Sequence, residues 1–392
     1  MFPAADLLDD LVKIFLRYFN QHFHILHGPT FVRQVAAGLH HTTPAFGSVV
    51  LAVCALASRY SDDPRVGEGH HKGWNYYTQI KAIHLGQYLD PANLLWDLQL
   101  FPLMGLYAYS LTLPDQCFLL TAMGIRLAQA RSIHRLKPSD DKPWTANDEL
   151  LKRTWWLLVV LDTYVSSFGG HRRVTDYEEF DAEYPLEVDD EFWPGEPLAD
   201  PERPWHQPKR TNCRVSGWVY HLKLLSIYSF AQTTIYTIRR SPYWDCIGCP
   251  DWDRNIVVEL DSALNAWLDS LPDFLRWDPH SPTADAAMLQ STLHFIQIQI
   301  HRPFLREFAS NAICVTAARS CSHVLAAYSK GWPFLTMPMA FGWALYSSII
   351  LLLNVKDGKL ASPRDLEDVA ENMEMLSRHE GVWQVAGRYQ YV

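Results

Sequence analysis

Apolar residues recur at helical spacing along most of the chain, whereas alternating apolar and polar runs bounded by turn residues are scarce. This pattern predicts an all-α protein in which no segment reads convincingly as a strand. Several segments are apolar on almost every face, which is typical of helices inside a large multi-helix bundle. We predict helices at about 5–23, 44–60, 71–89, 91–112, 115–134, 147–168, 214–239, 253–270, 284–301, 309–330, 338–354 and 363–390.

Local signals at helix ends support these assignments. Thr145 and Asp148 are spaced as a capping box before an apolar run. The nearly all-apolar stretch Leu293–Leu305 contains Arg302 followed by Pro303. Because proline lacks a backbone donor, Pro303 predicts a kink or an end of the helix at this point. Arg302 must then leave the core or find a partner.

The longest stretch without helical periodicity runs from about 169 to 212. From Asp176 to Glu202 it contains twelve Asp or Glu and no Lys or Arg, and it is rich in proline. Loops of this length that lack regular structure usually act as a lid or a wrap, or are disordered. The aromatic residues in this acidic, proline-rich loop favour a wrap that packs onto the helices: Tyr177, Phe180, Tyr184, Phe192, Trp193 and Trp205.

Composition agrees with a large buried interior. The chain has 392 residues, 48% of them hydrophobic, and 15 are Trp, which needs a thick core to be accommodated. We predict a single helical domain over 5–390. The seven Cys are scattered and no secretory leader precedes them, which favours reduced thiols inside the cell. The best apolar run, Trp343–Leu353, is about half the length that a membrane span needs.

The charge distribution argues against direct contact with nucleic acid. The net charge is −9, and the acidic loop accounts for it, since the remainder of the chain is nearly balanced. Neither part provides the basic surface that a phosphate backbone requires.

Metal and cofactor motifs are weak. Cys246 and Cys249 have the spacing of half a zinc site, but no second Cys-x-x-Cys pair completes the four ligands. Free thiols in a turn are the preferred interpretation. Gly67–Gly73 resembles a dinucleotide-binding loop with one residue too many and no preceding strand. We therefore predict no metal or cofactor site in this chain.

An enzyme remains a remote alternative. An all-α cyclase of the terpene type needs aspartates around Mg²⁺ in an aromatic pocket, and Asp189, Asp190 and Glu191 are the only candidates. They lie in the proline-rich loop, and Trp193 occupies the position where a further carboxylate is expected. No catalytic residue is predicted.

Two polar residues interrupt apolar helices, Arg126 and Asp162. An unpaired buried charge costs several kcal/mol. We therefore hypothesise that Asp162 forms an ion pair with Arg126 or Arg302. The alternative is that either side chain extends to solvent.

Four stretches of the chain carry family-like motifs: Leu11–Phe19 leading into Ile25–Phe31, Ala122–Arg135, Glu149–Asp162 and Leu293–Leu305. Together they resemble the fungal-specific transcription factor domain, the helical regulatory region of fungal binuclear zinc-cluster transcription factors related to xylanolytic activators. Each motif is weak alone, but the four occur in the family's order from about residue 5 to 390. Within them lie the candidate structural or regulatory residues: Arg126, Trp155, Trp156, Asp162, Arg302 and Pro303.

The chain departs from the family pattern twice. The family usually has Gly-Arg-Pro before the acidic loop, whereas this chain has the run Gly169–Arg173. Family members also carry an N-terminal six-cysteine cluster that binds zinc and reads DNA, and no such run is present in this sequence. Zinc and DNA binding are therefore expected only through a module outside this chain.

The resemblance implies a regulatory, non-enzymatic domain that controls transcription by RNA polymerase II. It implies sensing of a small-molecule effector or of other transcription proteins, no membrane, and nuclear residence, with the cytoplasm as the other possibility. An alternative is a stand-alone interaction protein that acts as a dominant-negative regulator.

Overall fold

The computed structural model describes residues 2–80, 91–139, 142–200, 202–209, 211–237, 252–331, 338–358 and 360–391. Within these ranges the chain is all-α: it has no strand, and one isolated bridge joins Ser139 and Lys142. The predicted fold class is confirmed. The helices are α1 (Ala5–Phe15), α2 (Gln21–Phe23), α3 (Gly28–Ala36), α4 (Leu39–Thr42), α5 (Pro44–Ser58), α6 (Trp74–Tyr77), α7 (Leu94–Ser110), α8 (Pro114–Ala130), α9 (Ala146–Gly169), α10 (Val215–Thr234), α11 (Trp252–Asp269), α12 (Ala284–His301), α13 (Phe308–Gly331), α14 (Met339–Asp357), α15 (Arg364–His379) and α16 (Gln384–Arg388).

The N-terminal region is more divided than the sequence predicts. The predicted helix at about 5–23 is interrupted by a π-helical turn, Leu16–Asn20, and it ends at His24, which has a left-handed φ of 44°. The unpredicted helix α3 begins immediately afterwards. The His27 side chain accepts a hydrogen bond from the backbone N–H of Thr30, and Pro29 occupies the first turn.

Two other predicted helices have different limits in the structure. The segment predicted as 363–390 is two helices, since α15 ends at His379 and α16 begins at Gln384. Of the helix predicted at 71–89, the structure shows α6, while residues 81–90 lie outside the described part of the chain. Helix α10 ends at Thr234, and residues 238 and 239 of the helix predicted at 214–239 lie outside the described part of the chain. Elsewhere the predicted helices lie within a few residues of the observed ones.

The chain divides into two compact units, and each is described by itself. Unit 1 comprises Met1–Val219 and Glu380–Arg388. Its core is formed by α5, α7, α8 and α9, and nearly every residue of α5 is buried. Gly124 lets α8 approach its neighbours, because a Cβ there would lie 2.8 Å from Leu158 and 2.9 Å from Phe101. A larger residue at 124 would force these helices apart.

Unit 2 comprises Tyr220–His379 and Tyr389–Val392. Helices α12, α13, α14 and α15 pack on one another in this unit. Small residues of α13 permit close packing against α12 and α14. The resulting apolar cluster contains Ile298, Cys314, Val315, Ala317, Ala318, Ile350 and Leu351. A single domain over 5–390 stays a prediction.

Helix α14 is long and apolar enough to cross a membrane, judged by length and composition. Of its most apolar window, 61% is buried inside the protein. A helix in a protein core passes the same test, so this property is weak support for a span. The predicted apolar run Trp343–Leu353 is the middle of this longer helix.

Candidate functional site

Three charged side chains at the start of α9 form the centre of the candidate site. Glu149, Lys152 and Arg153 are all fully buried. They share one face of the helix because they are spaced by three and four residues. The start of α9 is fixed by the predicted capping box, in which Thr145 and Asp148 exchange hydrogen bonds. This confirms the capping prediction and places the three charges in the first two turns of the helix.

The Glu149 carboxylate is held by two cationic side chains and two further N–H groups. Lys152 Nζ lies 2.9 Å from Glu149 Oε2, and Arg153 Nε lies 3.4 Å from Oε1. The backbone N–H of Leu186 donates to Oε1 at 2.8 Å, and the Trp144 indole N–H donates to Oε2 at 3.2 Å. A buried carboxylate needs such complete pairing to be stable. Glu149 therefore attaches the acidic loop to α9.

Arg153 connects α9 to two other segments. Its guanidinium donates to Asp190 Oδ1 at 3.2 Å and to the backbone carbonyls of His24 and Val188 at 3.3 and 3.4 Å. The guanidinium carbon also lies 4.6 Å from the centroid of the Trp193 ring. One buried cation thus joins α9, the corner before α3 and the acidic loop.

Asp190 completes the connection to α3. The backbone N–H of Gly28 donates to Asp190 Oδ2 at 2.9 Å, so the carboxylate sits at the N-terminus of α3. His27 Nε2 lies 3.0 Å from the Asp190 carbonyl oxygen, and its ring stacks on Trp193 at 4.5 Å. Burial raises the pKa of Asp190, but the Arg153 guanidinium and the nearby donors outweigh it and hold that pKa below its usual value. We call Glu149, Lys152, Arg153, Asp190 and His27 the buried charge network.

Further ion pairs at the edge of the network hold the acidic loop. Arg33 of α3 donates twice to Glu196, at 3.0 and 2.6 Å, although Arg33 itself is 58% exposed. Asp189 accepts from the backbone N–H of Arg214 at 2.9 Å, and the Arg214 side chain pairs with Glu191. Both arginines are more than half exposed, so these contacts are weaker than the pairs in which both partners are buried.

The same contacts bear on the enzyme alternative. Its three carboxylates hold different protein donors: Asp189 binds the Arg214 amide, Asp190 binds Arg153, and Glu191 binds the Arg214 side chain. This arrangement gives no support to a shared Mg²⁺ site. In the described part of the chain, no group of three or more His, Cys, Asp or Glu could hold a metal ion. Cys246 and Cys249 lie outside the described residues.

The Trp pair of α9 packs against the middle of the acidic loop. Trp155 and Trp156 are 1% and 2% exposed. The Trp156 indole N–H donates to the Glu183 carbonyl at 2.8 Å, and its ring stacks on Tyr184 at 4.9 Å. Phe180 packs edge-on against Trp155 at 5.2 Å. Both candidate tryptophans thus contact the acidic loop through its aromatic residues.

The predicted ion pair at Asp162 is wrong. Its carboxylate accepts hydrogen bonds from the backbone N–H groups of Val174 and Thr175 at 3.1 and 2.8 Å. The hydroxyls of Thr175 and Ser166 donate to it at 2.7 and 3.4 Å. The chain reverses at Gly170 (φ 67°) and returns past the helix, so backbone amides reach Asp162 instead of a guanidinium. Both oxygens of the Asp162 carboxylate thus accept from backbone amides and hydroxyls of the described residues.

The two candidate arginines have other partners. Arg126 donates to the Gln129 side chain at 2.8 Å. In unit 2, the Arg302 guanidinium lies 5.3 Å from the ring of Tyr236 and 5.2 Å from that of Tyr346. Helix α12 ends at His301, and Pro303 lies in a 3₁₀ turn, as its missing donor predicts. The partners of the Arg302 guanidinium are therefore aromatic rings and not a carboxylate.

Sequence reasoning missed most of the buried charge network. Glu149, Lys152 and Arg153 lie in the stretch Glu149–Asp162, which indicates the family but does not single out these three as site residues. Their signal is three charges on one face at the start of a helix that continues with an apolar run. Nothing local in the sequence indicates that His27 and Asp190 meet α9, because their role depends on segments that are distant in sequence.

A comparison with known families identifies the chain. The family model "Fungal specific transcription factor domain" matches residues 12–269. The chain belongs to this family. The matched region contains every residue of the buried charge network, and the resemblance drawn from the four stretches is confirmed.

Individual relatives in the family are transcription regulators. The chain is 24% identical over 412 residues to the "ABC-transporter-regulating transcription factor" of Aspergillus fumigatus, which covers 94% of this chain and 44% of that protein. It is 24% identical over 306 residues to "Activator of stress genes 1" of Saccharomyces cerevisiae, with 73% and 30% covered. A putative transcriptional regulatory protein of the same yeast is 27% identical over 235 residues, with 58% and 29% covered. The chain thus spans less than half the length of these relatives. No solved structure matches it significantly.

Proposed function

We propose that this fungal specific transcription factor domain is the regulatory part of a transcription factor acting on RNA polymerase II. It senses an effector or a partner protein, and it acts on DNA through a zinc-cluster module that lies outside this sequence. The family membership and the transcription-regulating relatives support this proposal. Its partners are then other transcription proteins or a small molecule, and its place of action is the nucleus.

The observation that carries the mechanism is the position of Arg153. This buried cation contacts α9, the corner before α3 and the acidic loop at the same time. Removing one member of a buried charge pair costs about 3–5 kcal/mol, so partial separation of the segments is unfavourable. The acidic loop is therefore either fully docked on α3 and α9 or fully separated from them, as a two-state element requires.

A ligand can act on such an element only by binding one arrangement better than the other. A partner that contacts the acidic loop would bias the network without touching α9. We expect the regulated step to be the docking of the loop onto α3 and α9, with no chemical reaction.

A reporter assay tests the proposal. The full 392-residue chain is fused to a heterologous DNA-binding module in a fungal strain, and transcription from its target promoter is measured. We expect the fusion to raise or lower transcription, and Arg153→Met to change that output by threefold or more. The matched control is Arg33→Met, which removes an exposed arginine that binds the same loop. A stably folded fusion that leaves transcription at the level of the DNA-binding module alone overturns the proposal.

A further inference from the structure

The segment Glu380–Arg388 packs within unit 1, although it lies far along the chain from the rest of that unit. Its one regular element is α16, which is five residues long. A helix this short is not stable by itself in water. The segment therefore owes its conformation to the surface that receives it, as a bound peptide does.

A single tryptophan anchors the segment. Trp383 is 0% exposed, and its indole N–H donates to the Tyr60 hydroxyl at 2.7 Å. Its ring centroid lies 6.2 Å from that of Phe19 and 6.4 Å from that of Tyr60. A buried aromatic residue in an aromatic pocket, with its polar atom bonded, is the usual energetic centre of a protein–peptide interface.

An arginine next to the pocket forms a hydrogen bond with the backbone of the segment. Arg59 is 1% exposed and donates to the Val382 carbonyl at 2.9 Å. Its other nitrogens donate to the carbonyls of His70 and Ser110, at 2.9 and 3.4 Å. In the part of the chain that the structure describes, no carboxylate pairs with this guanidinium. The segment thus supplies one of the three carbonyls that hold the buried charge.

Much of the receiving surface is held by contacts that do not involve the segment. The carbonyls of His70 and Ser110 accept from two nitrogens of the Arg59 guanidinium, and the Tyr107 ring centroid lies 6.0 Å from its central carbon. The Tyr107 hydroxyl is fixed in turn by donation to the Lys72 carbonyl at 2.9 Å. An emptied pocket would therefore present an aromatic cavity beside an arginine donor aimed at a backbone carbonyl.

We propose that unit 1 contains a peptide-binding site, lined by Phe19, Arg59, Tyr60 and Tyr107, whose ligand in this structure is the chain's own segment Glu380–Arg388. The ligand class is a peptide that contains a tryptophan and in which the residue before the tryptophan offers its backbone carbonyl to Arg59. The segment is an exchangeable occupant, and a second peptide with the same tryptophan competes with it. This inference is independent of the proposed role in transcription.

Binding in trans tests the site. The full chain carrying Trp383→Ala is titrated into a fluorescein-labelled peptide of residues 378–392, and fluorescence anisotropy is measured. We expect saturable binding that is at least tenfold tighter than to the wild-type chain, in which the attached segment competes at an effective concentration of the order of millimolar. The same peptide with Trp383→Ala should not bind. Adding Arg59→Met to the chain should weaken binding at least tenfold.

Two results would overturn the proposal. One is a folded Trp383→Ala chain, verified by circular dichroism, that does not bind the peptide. The other is equal binding of the peptides with and without tryptophan. Should the variant fail to fold, hydrogen exchange of the wild-type chain decides the question. Exchange of residues 380–388 well before α5 supports a detachable segment, and exchange only on global unfolding refutes it.

Discussion

The Asp162 carboxylate illustrates how this protein buries charge: it is surrounded by backbone amides and hydroxyls instead of a cation. We expect Asp162→Ala to lower the free energy of unfolding by about 3 kcal/mol, because it leaves buried N–H groups of Val174 and Thr175 without an acceptor. Urea unfolding followed by tryptophan fluorescence measures this loss. Asp162→Asn should lose less, since its amide oxygen still accepts. The control is Asp10→Ala at an exposed site, where a change within about 0.5 kcal/mol is expected. A loss below 1 kcal/mol for the alanine variant would contradict this account.

Two buried histidines predict a specific pH dependence. Burial lowers the pKa of His22 to about 4, and burial together with the Arg153 charge lowers that of His24 to about 3, from an ordinary value of 6.5. Between the ordinary and the lowered values, the unfolded chain binds more protons than the folded one. Stability therefore falls as the pH falls below 6.5, by up to about 1.4 kcal/mol per pH unit for each histidine, and these groups have no effect above that range.

His24→Asn tests this dependence and retains a residue that tolerates the left-handed backbone at this position. The free energy of unfolding is measured by urea titration at several values between about pH 6 and 4.5. The variant should show a slope shallower by up to about 1.4 kcal/mol per pH unit than the wild-type chain. Parallel slopes in the two chains would show that His24 does not titrate differently in the fold.

At the scale of elements, the buried charge network links α9, α3 and the acidic loop through Arg153. Arg153→Met should lower the free energy of unfolding by about 3–5 kcal/mol, because Asp190 loses its buried cationic partner. Arg33→Met removes the exposed arginine on the same loop and should cost no more than about 1 kcal/mol. Urea unfolding of both variants gives the comparison. Equal losses would mean that burial of the Arg153 pair contributes nothing beyond an ordinary surface contact.

Helix α15 docks in unit 2 through polar groups as well as through the buried Met375 and Leu376. Arg319 donates to Asp365 at 2.7 and 3.0 Å, and Asn354 donates to it at 2.9 Å. Farther along, Asn372 donates to the hydroxyls of Ser322 and Ser348 at 2.9 and 3.1 Å. On separation these groups regain hydrogen bonds from water, which apolar groups do not. We therefore expect α15 to separate from its unit without unfolding of α12.

Asp365→Asn probes that release. Burial raises the pKa of Asp365, but the hydrogen bonds from Arg319 outweigh it and hold the pKa below 3.8. The charged form therefore stabilises the docked helix above pH 3.8, and this contribution is lost as the pH falls through the lowered pKa. At neutral pH, we expect the variant to speed hydrogen exchange in α15 at least tenfold and to leave α12 unchanged. Uniform acceleration through unit 2 would refute separate release.

The sequence could predict the elements whose signals are local. Helix α9 follows from helical periodicity and the Thr145–Asp148 capping box, and the end of α12 follows from Pro303. The π-turn at 16–20 and the start of α3 could not be read, because they depend on how the corner at His24 packs. The same reason separates the site residues. The Trp pair is visible as a motif, whereas the partner of Arg153 is Asp190, on a loop far along the chain.

At the scale of the whole molecule, loss of regulation must be distinguished from loss of folded protein. Arg153→Met alters the buried charge network, whereas Asp365→Asn weakens a polar contact in unit 2 that the proposed mechanism does not use. In the reporter fusion, both variants are compared at matched abundance of folded protein, measured by resistance to protease in cell extracts. Since a ligand or a mutation shifts an equilibrium only through a difference between two states, we expect the output to change threefold or more with Arg153→Met and to stay within 1.5-fold with Asp365→Asn. If both variants changed the output equally, transcription would follow folded abundance alone, and the network would have a structural role without a regulatory one.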